Sequence, residues 1–305
     1  MKRALVISGG GSKGAFAGGV AQYLMQERGF DYQLFVGTST GSLLISHLAL
    51  NNPEKIKKVY TSVRQEDIFS HRPFVVKKGK FGEKQIGIDH FKVLRNFWRG
   101  SKTFGESYNL RTLISNTLTE KEFEKLQASS KDVVVTVSNL SLNQVEYKSV
   151  NDFSYSDFCD WIWISCNYIP FMSLVKKDGC EYADGGFGSM VPIEEAINRG
   201  ATIVDVIILE TEMTYYNRMH SRNPFSLLTN MHAFMLDRVE KQNIRIGKFV
   251  AGHHKAVINF YYTPTVLTTN SLIFDNKQMT QWWDSGYLYA KSQNEETSEI
   301  HPQDS

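Results

Sequence analysis

Apolar positions in the first fifty residues fall into two short continuous runs, each followed by a longer helical stretch. Arg3-Ala-Leu-Val-Ile-Ser8 has the unbroken hydrophobicity of a strand covered on both faces, and the Ala15–Met25 segment behind it opens a helix. Tyr32-Gln-Leu-Phe-Val36 predicts a second strand and Ser42-Leu-Leu-Ile-Ser-His-Leu-Ala-Leu50 a second helix. Residues 51–130 are rich in helix-like patterns. A strand pair over 131–150 turns at Asn139-Leu-Ser-Leu-Asn143, and helices are expected near 155–165 and 193–199, the latter stopped by Gly200. Thr202-Ile-Val-Asp-Val-Ile-Ile-Leu209 is a further buried strand. Such alternation implies an α/β protein with three layers, a mostly parallel central sheet carrying helices on both faces. In such sheets the loops at the carboxyl ends of the strands carry the site.

Two of those loops hold candidate chemistry. Val36-Gly37-Thr38-Ser39-Thr40-Gly41 places a serine at the tip of a strand–turn–helix, the pattern of a nucleophile elbow. Gly37 and Gly41 let the backbone bend tightly, and the helix that follows presents its positive end beneath the hydroxyl. One strand earlier, Gly9-Gly10-Gly11-Ser12-Lys13-Gly14 points backbone N–H groups into a concavity that suits an anion. It is not a P-loop, because Ala15 follows Gly14 where Lys and then Ser or Thr are required. Gly9, Gly11 and Gly14 formally satisfy a dinucleotide fingerprint, with Asp31 at the right distance but at the start of the second strand. An oxyanion hole facing Ser39 uses both loops at once and is preferred.

A third feature is Asp184-Gly185-Gly186, after Lys176–Ala183 and before Phe187-Gly-Ser-Met-Val-Pro192. Alone it is a plain turn. In this order behind a glycine loop and a serine elbow, it resembles the patatin-like phospholipase family, whose members use a Ser–Asp dyad. The resemblance implies that Gly9–Gly14 is the oxyanion loop, Ser39 the nucleophile and Asp184 the general base. It covers most of the first 210 residues. Ser107–Leu113, the strand Val133–Ser138 and Cys166-Asn-Tyr-Ile-Pro170 are similar to family segments, with Tyr168 where a small residue is usual. Met190-Val191-Pro192 departs from the Asn-Pro usual after the aspartate. Residues 211–305 carry little family signal.

Composition adds boundaries. A chain of 305 residues with 42% hydrophobic content suffices for one large domain, expected over 1–290, with a basic helical insertion or cap at about 51–130 and a polar, disordered tail at 291–305. A net charge of +2 gives no case for nucleic acid. Three cysteines, Cys159, Cys166 and Cys180, lack metal-ligand spacing and suit a reducing, cytoplasmic compartment. No secretory leader is expected, since the first residues enter a strand directly. The most apolar stretch, Phe158 to Val175, contains Asp160, Asn167 and Pro170, so Trp161 and Trp163 are expected in the core.

Residues 71–102 concentrate Arg72, Lys77, Lys78, Lys80, Lys84, Lys92, Arg95, Arg99 and Lys102 against only Glu83 and Asp89, interleaved with Phe74, Phe81, Phe91, Phe97 and Trp98. This suits either a cap meeting an anionic membrane surface peripherally or a solvated helical insertion. His220, His232, His253, His254 and His301 follow the acid but sit in no motif, and His47 on the helix after the elbow is expected to be structural. The expected reaction is acyl transfer from a phospholipid or other fatty-acyl ester through an acyl-serine, with N–H groups around Gly10, Gly11 and Ser12 holding the oxyanion and no cofactor or metal. The alternatives are an NAD(P)-binding protein built on the glycine loop and a lipid-binding scaffold without activity.

Overall fold

The computed structural model describes residues 1–78, 84–98, 100–213 and 224–300. Its elements begin with β1 (Arg3–Ile7), α1 (Gly14–Gln26), β2 (Leu34–Thr38), α2 (Thr40–Ala49), α3 (Pro53–Ser62) and α4 (Gln65–Ile68). They continue with β3 (Phe74–Lys78), β4 (Lys84–Ile88), α5 (His90–Trp98), α6 (Tyr108–Thr117), α7 (Glu120–Gln127), β5 (Asp132–Asn139) and β6 (Gln144–Ser149). The remainder is α8 (Tyr155–Ser165), β7 (Val175–Lys177), β8 (Cys180–Asp184), α9 (Ile193–Asn198), β9 (Ile203–Ile208), α10 (Pro224–His254), β10 (Val257–Tyr262) and α11 (Asn276–Ile300).

The central sheet has the order β10-β9-β1-β2-β5-β8-β7, with β6 also paired to β5. β10, β9, β1, β2 and β5 run parallel, β6 and β8 pair antiparallel to β5, and β7 pairs antiparallel to β8. Strand β1 shows why this sheet lies in the middle of three layers. Leu5 and Ile7 join a core with α1, α2 and α8, whereas Ala4 and Val6 join one with α9 and the C-terminal half of α10, and all four are fully buried. β2 and β9 flank β1 on opposite sides, so the glycine loop after β1 sits where the strand order reverses.

The region 51–130 differs from the helical reading. β3 and β4 form an antiparallel hairpin within it, with Phe74 fully buried. Lysines interrupt the β-branched runs there and mask their period. Phe81, Glu83, Lys80 and Arg99 lie outside the described residues, as do the side chains of Lys77, Lys78 and Lys84.

Beyond residue 210 the chain completes the domain. β10 adds a parallel edge to β9, and α11 packs along α1. That contact is close because Gly18 and Gly19 leave room: a Cβ on Gly19 would stand 1.9 Å from the Trp283 carbonyl oxygen. Trp283 is fully buried, and its indole N–H donates to Gln22 Oε1 at 2.7 Å. The tail boundary expected at 291 falls inside α11, which continues to Ile300; residues 301–305 lie outside the described residues. Cys159 and Cys166 are buried and Cys180 half-buried, all free thiols, and Trp161 and Trp163 are core residues. Among the described residues no helix is long and apolar enough to cross a membrane.

Candidate active site

Ser39 occupies the single residue between β2 and α2, with φ 54° and ψ −121°. A non-glycine residue at positive φ is strained and persists where its surroundings hold it. Those surroundings begin with Gly37 and Gly41: a Cβ on Gly37 would stand 2.6 Å from the Gly41 carbonyl carbon. The Ser39 N–H donates to Ser165 Oγ at 2.9 Å, the Ser39 carbonyl accepts from the Cys166 thiol at 3.2 Å, and Ser42 Oγ donates to the Gly37 carbonyl at 2.9 Å. The end of α8 therefore clamps the elbow. The sequence reading overlooked Ser165; a buried serine closing the apolar run Trp161-Ile-Trp-Ile was the available signal.

Strand register brings Asp184 to Ser39. On one flank of β5, Thr136 pairs with Thr38 of β2, and the next residue, Val137, pairs with Asp184 of β8. β2 and β8 thus approach end to end along β5, and their C-terminal residues meet. Ser39 Oγ donates to Asp184 Oδ2 at 2.7 Å, while Gly186 N–H donates to Asp184 Oδ1 at 2.8 Å. Gly185 lies against β5, where a Cβ would stand 2.3 Å from the Thr136 carbonyl oxygen. Asp184 is buried, and burial pushes its carboxyl up to about 7, against the opposing pull of the Ser39 and Gly186 hydrogen bonds.

The glycine loop closes the other side. A Cβ on Gly9 would come within 3.2 Å of Ser39 Cβ and 2.6 Å of Met190 Sδ, so only glycine lets the loop lie this close. Gly11 has φ +56°, and a Cβ there would stand 2.4 Å from the Ser271 carbonyl oxygen. The six loop residues do not play equal parts. Gly9 N–H donates to the Met190 carbonyl at 3.3 Å, Ser12 N–H to the Ser271 carbonyl at 2.8 Å and Lys13 N–H to the Gly10 carbonyl at 3.2 Å. Gly14 N–H points back to the carbonyls of Gly11 and Ser12. Among the described residues, the N–H groups of Gly10 and Gly11 have no protein acceptor. The Lys13 ammonium is buried and paired with Glu210, turned to a carboxylate and not to solvent.

The departure at Met190-Val191-Pro192 has a structural counterpart. Asn243 on α10 accepts from Met190 N–H at 2.8 Å and Val191 N–H at 3.3 Å. Neither Asn243 nor Ser271 was singled out from the sequence, and neither stands in a local pattern that marks it.

Among the described residues no histidine hydrogen-bonds to Ser39 or Asp184. Among the described residues, the Asp184 carboxylate accepts only from Ser39 and Gly186. His220 and His301 lie outside them. His253 and His254 are exposed at the end of α10, and His232 packs edge-on against Tyr168 and Phe187. His47 is buried, its imidazole pushed down to about 4 by burial and then by Lys55. Asp31, the acid considered for ribose binding, is exposed before the start of β2, at the sheet end opposite the glycine loop, where Lys131 lies 3.6 Å away. That placement removes the acid the dinucleotide reading needs.

An apolar cavity lined by Leu43, Ile56, Tyr60, Leu110, Ile114 and Ile162 runs beside α2. Tyr60 connects it to the loop, its hydroxyl donating to the Gly11 carbonyl at 2.6 Å. On the other side, rings pack in series from Phe97 on α5 through Phe104, Phe171 and Tyr168 to Phe187, at 5.6 to 5.8 Å spacing.

A curated relative, the uncharacterized protein YjjU of Escherichia coli strain K12, is 28% identical over 221 residues, 70% of this chain and 53% of its own length. The chain therefore spans about half of that relative. Among solved structures, VipD from Legionella pneumophila is similar with a TM-score of 0.45 and 15% identity, over 93% of this chain and 67% of that one. The signature described as Patatin-like phospholipase matches residues 5–197, from β1 through the elbow and the Asp184 loop to α9. A match over more than half of the chain establishes that the protein belongs to the patatin-like phospholipase family of lipid acyl hydrolases.

Proposed function

We propose that the protein hydrolyses fatty-acyl esters, phospholipids or lysophospholipids among them, through an acyl-serine formed on Ser39. The observation that carries this reading is the 2.7 Å hydrogen bond from Ser39 Oγ to Asp184 Oδ2. Asp184 accepts the hydroxyl proton as Oγ attacks the ester carbonyl, and the tetrahedral oxyanion accepts from the N–H groups of Gly10 and Gly11. Collapse of this intermediate expels the alcohol, which takes the proton back from Asp184. Water then attacks the acyl-serine with the same carboxylate as base and releases the fatty acid. A carboxyl held near pH 7 is matched to this exchange, since it can both take and return a proton at neutrality.

The apolar cavity beside α2, about 50 Å³ and tied to the glycine loop through Tyr60, supports an apolar substrate group near the loop. The exposed Phe91, Leu94 and Trp98 of α5, with Lys92 and Arg95 on the same helix, support peripheral contact with an anionic membrane. The reading is tested by fatty-acid release from phospholipid vesicles. Wild type should release it, and Ser39→Ala should fall by about 10³-fold or more with its fold unchanged. Equal release by both would make the chain a lipid-binding scaffold whose apparent hydrolysis has another source.

A further inference from the structure

Away from the dyad, α4, the loop from Ser70 to Arg72 and α5 enclose a cleft of about 380 Å³. Its walls include Ser70, His71, Arg72, Lys92, Arg95 and Asn96, with Glu66 as their acidic neighbour. The acids nearby are largely spoken for. Glu66 leans toward Arg64 at 4.0 Å, Glu106 contacts His71 Nδ1 at 3.5 Å and Asp89 contacts Lys92 at 3.4 Å. Among the described residues, Arg72 and Arg95 have no acidic partner within 4 Å, so two guanidinium groups face the cleft without an ion pair, Asp89 acting on Arg95 only from farther off. Planar guanidinium forks match phosphate oxygens in bidentate geometry, and a lysine adds a point charge beside them.

We propose that this cleft is a second, non-catalytic binding site for a terminal phosphate group, either the phosphomonoester headgroup of a lipid or free phosphate. Its surroundings favour the lipid source. α5 contributes Lys92 and Arg95 to the cleft and also exposes Phe91 and Trp98 at 80% and 85%. One helix thereby offers cations to a headgroup and rings to the acyl layer beneath it. The series of rings from Phe97 to Phe187, three residues after Asp184, joins this helix to the dyad loop. A headgroup held in the cleft would fix that loop against the membrane surface. The site deepens the membrane-contact reading but does not depend on the dyad.

The test is sedimentation of the full chain with phosphatidylcholine vesicles, alone, doped with phosphatidate, or doped with phosphatidylserine to equal charge. Titration with inorganic phosphate runs beside it. Wild type should bind phosphatidate vesicles about tenfold more tightly than either other kind, and Arg72→Ala/Arg95→Ala should lose that preference. Arg95→Lys should lose most of it despite keeping the charge. Binding of inorganic phosphate without any vesicle preference would retain the site and assign it to a soluble ligand. Equal binding to both anionic vesicles without binding of inorganic phosphate, no binding of either phosphate probe, or full binding by the double variant would overturn it. Hydrolysis of a small soluble ester should be unchanged in the double variant. If no form cleaves that ester while phosphate binding persists, the dyad reading fails and the cleft stands.

Discussion

The segment that holds the proposed dyad and the segment that braces its glycine loop are different parts of the chain. Ser39, Asp184 and the glycine loop all lie within residues 5–197, where the family signature matches. Ser165 and Cys166 brace the elbow from within that segment, but the glycine loop and the strip after Asp184 are braced from the last hundred residues: Ser271 holds the Ser12 N–H, Asn243 holds the Met190 and Val191 N–H groups, and Glu210 pairs with Lys13. The reacting groups meet because strand register places them, a property of neighbouring β-strands. The backbone of the glycine loop is held by contacts distant in sequence, from Met190 to Gly9 and from Ser271 to Ser12. The proposed dyad is assembled locally, and the contacts that hold its glycine loop are distributed.

Substitutions can separate the two parts. The largest effect after loss of the nucleophile is expected from Asp184→Asn, which keeps the shape and removes the base. Turnover should fall about 10³-fold, close to Ser39→Ala, because the two residues act as a unit. The same substitution should stabilise the fold. The native carboxyl is raised to about 7 from an ordinary value of 3.8, so the unfolded chain releases this proton first, and the group's contribution to stability is lost as pH rises through 7. Asparagine carries no such loss. The melting-temperature gain of Asp184→Asn should therefore be near zero at pH 4 and largest above pH 7; a constant gain across that range would argue against burial as the cause.

Gly11→Ala tests the loop. A Cβ there would need positive φ and would press on the Ser271 carbonyl, moving one of the two N–H groups without a protein acceptor. Turnover should drop on the order of 10²-fold. Retained turnover in a folded variant would mean that the oxyanion is held elsewhere. Asn243→Ala tests the distant brace. It leaves the Met190 and Val191 N–H groups unpaired, and about tenfold lower kcat is expected with a loss of 1 to 3 kcal/mol in stability, roughly the cost of an unsatisfied buried donor. Denaturant unfolding and ester kinetics measure both. Unchanged kcat with lowered stability would make α10 a structural support alone.

A further prediction concerns pH. The base must be ionised, so kcat/KM for a small ester should rise about tenfold per pH unit below 7 and level off above it, following the position of the Asp184 carboxyl. A profile flat from pH 5 to pH 8 would show that another group, or none, takes the proton.

The division between site and brace also explains what could be read in the sequence. β1, β2 and the elbow were legible because continuous apolar runs broken by glycine leave few conformations open. Asp184 became legible only through its order behind two other motifs, since Asp-Gly-Gly is an ordinary turn by itself. The hairpin of β3 and β4 was hidden by lysines that break its period. α11 was partly hidden because Asn, Glu and Ser dominate its end, although the buried Ala290 on the α1 side belongs to the same helix. Ser271 and Asn243 were not legible at all. A carbonyl oxygen and a lone amide acquire their roles through tertiary contacts, and no local spacing encodes those.

The central claim, that Asp184 activates Ser39, is tested most directly by mass-spectrometric mapping of a fluorophosphonate adduct on wild type and on Asp184→Asn. The adduct should lie on Ser39 in wild type, and Asp184→Asn should label at least about 10²-fold more slowly under the same conditions, since the proton acceptor is gone. An adduct on another serine, or equal labelling rates in the two proteins, would contradict the account.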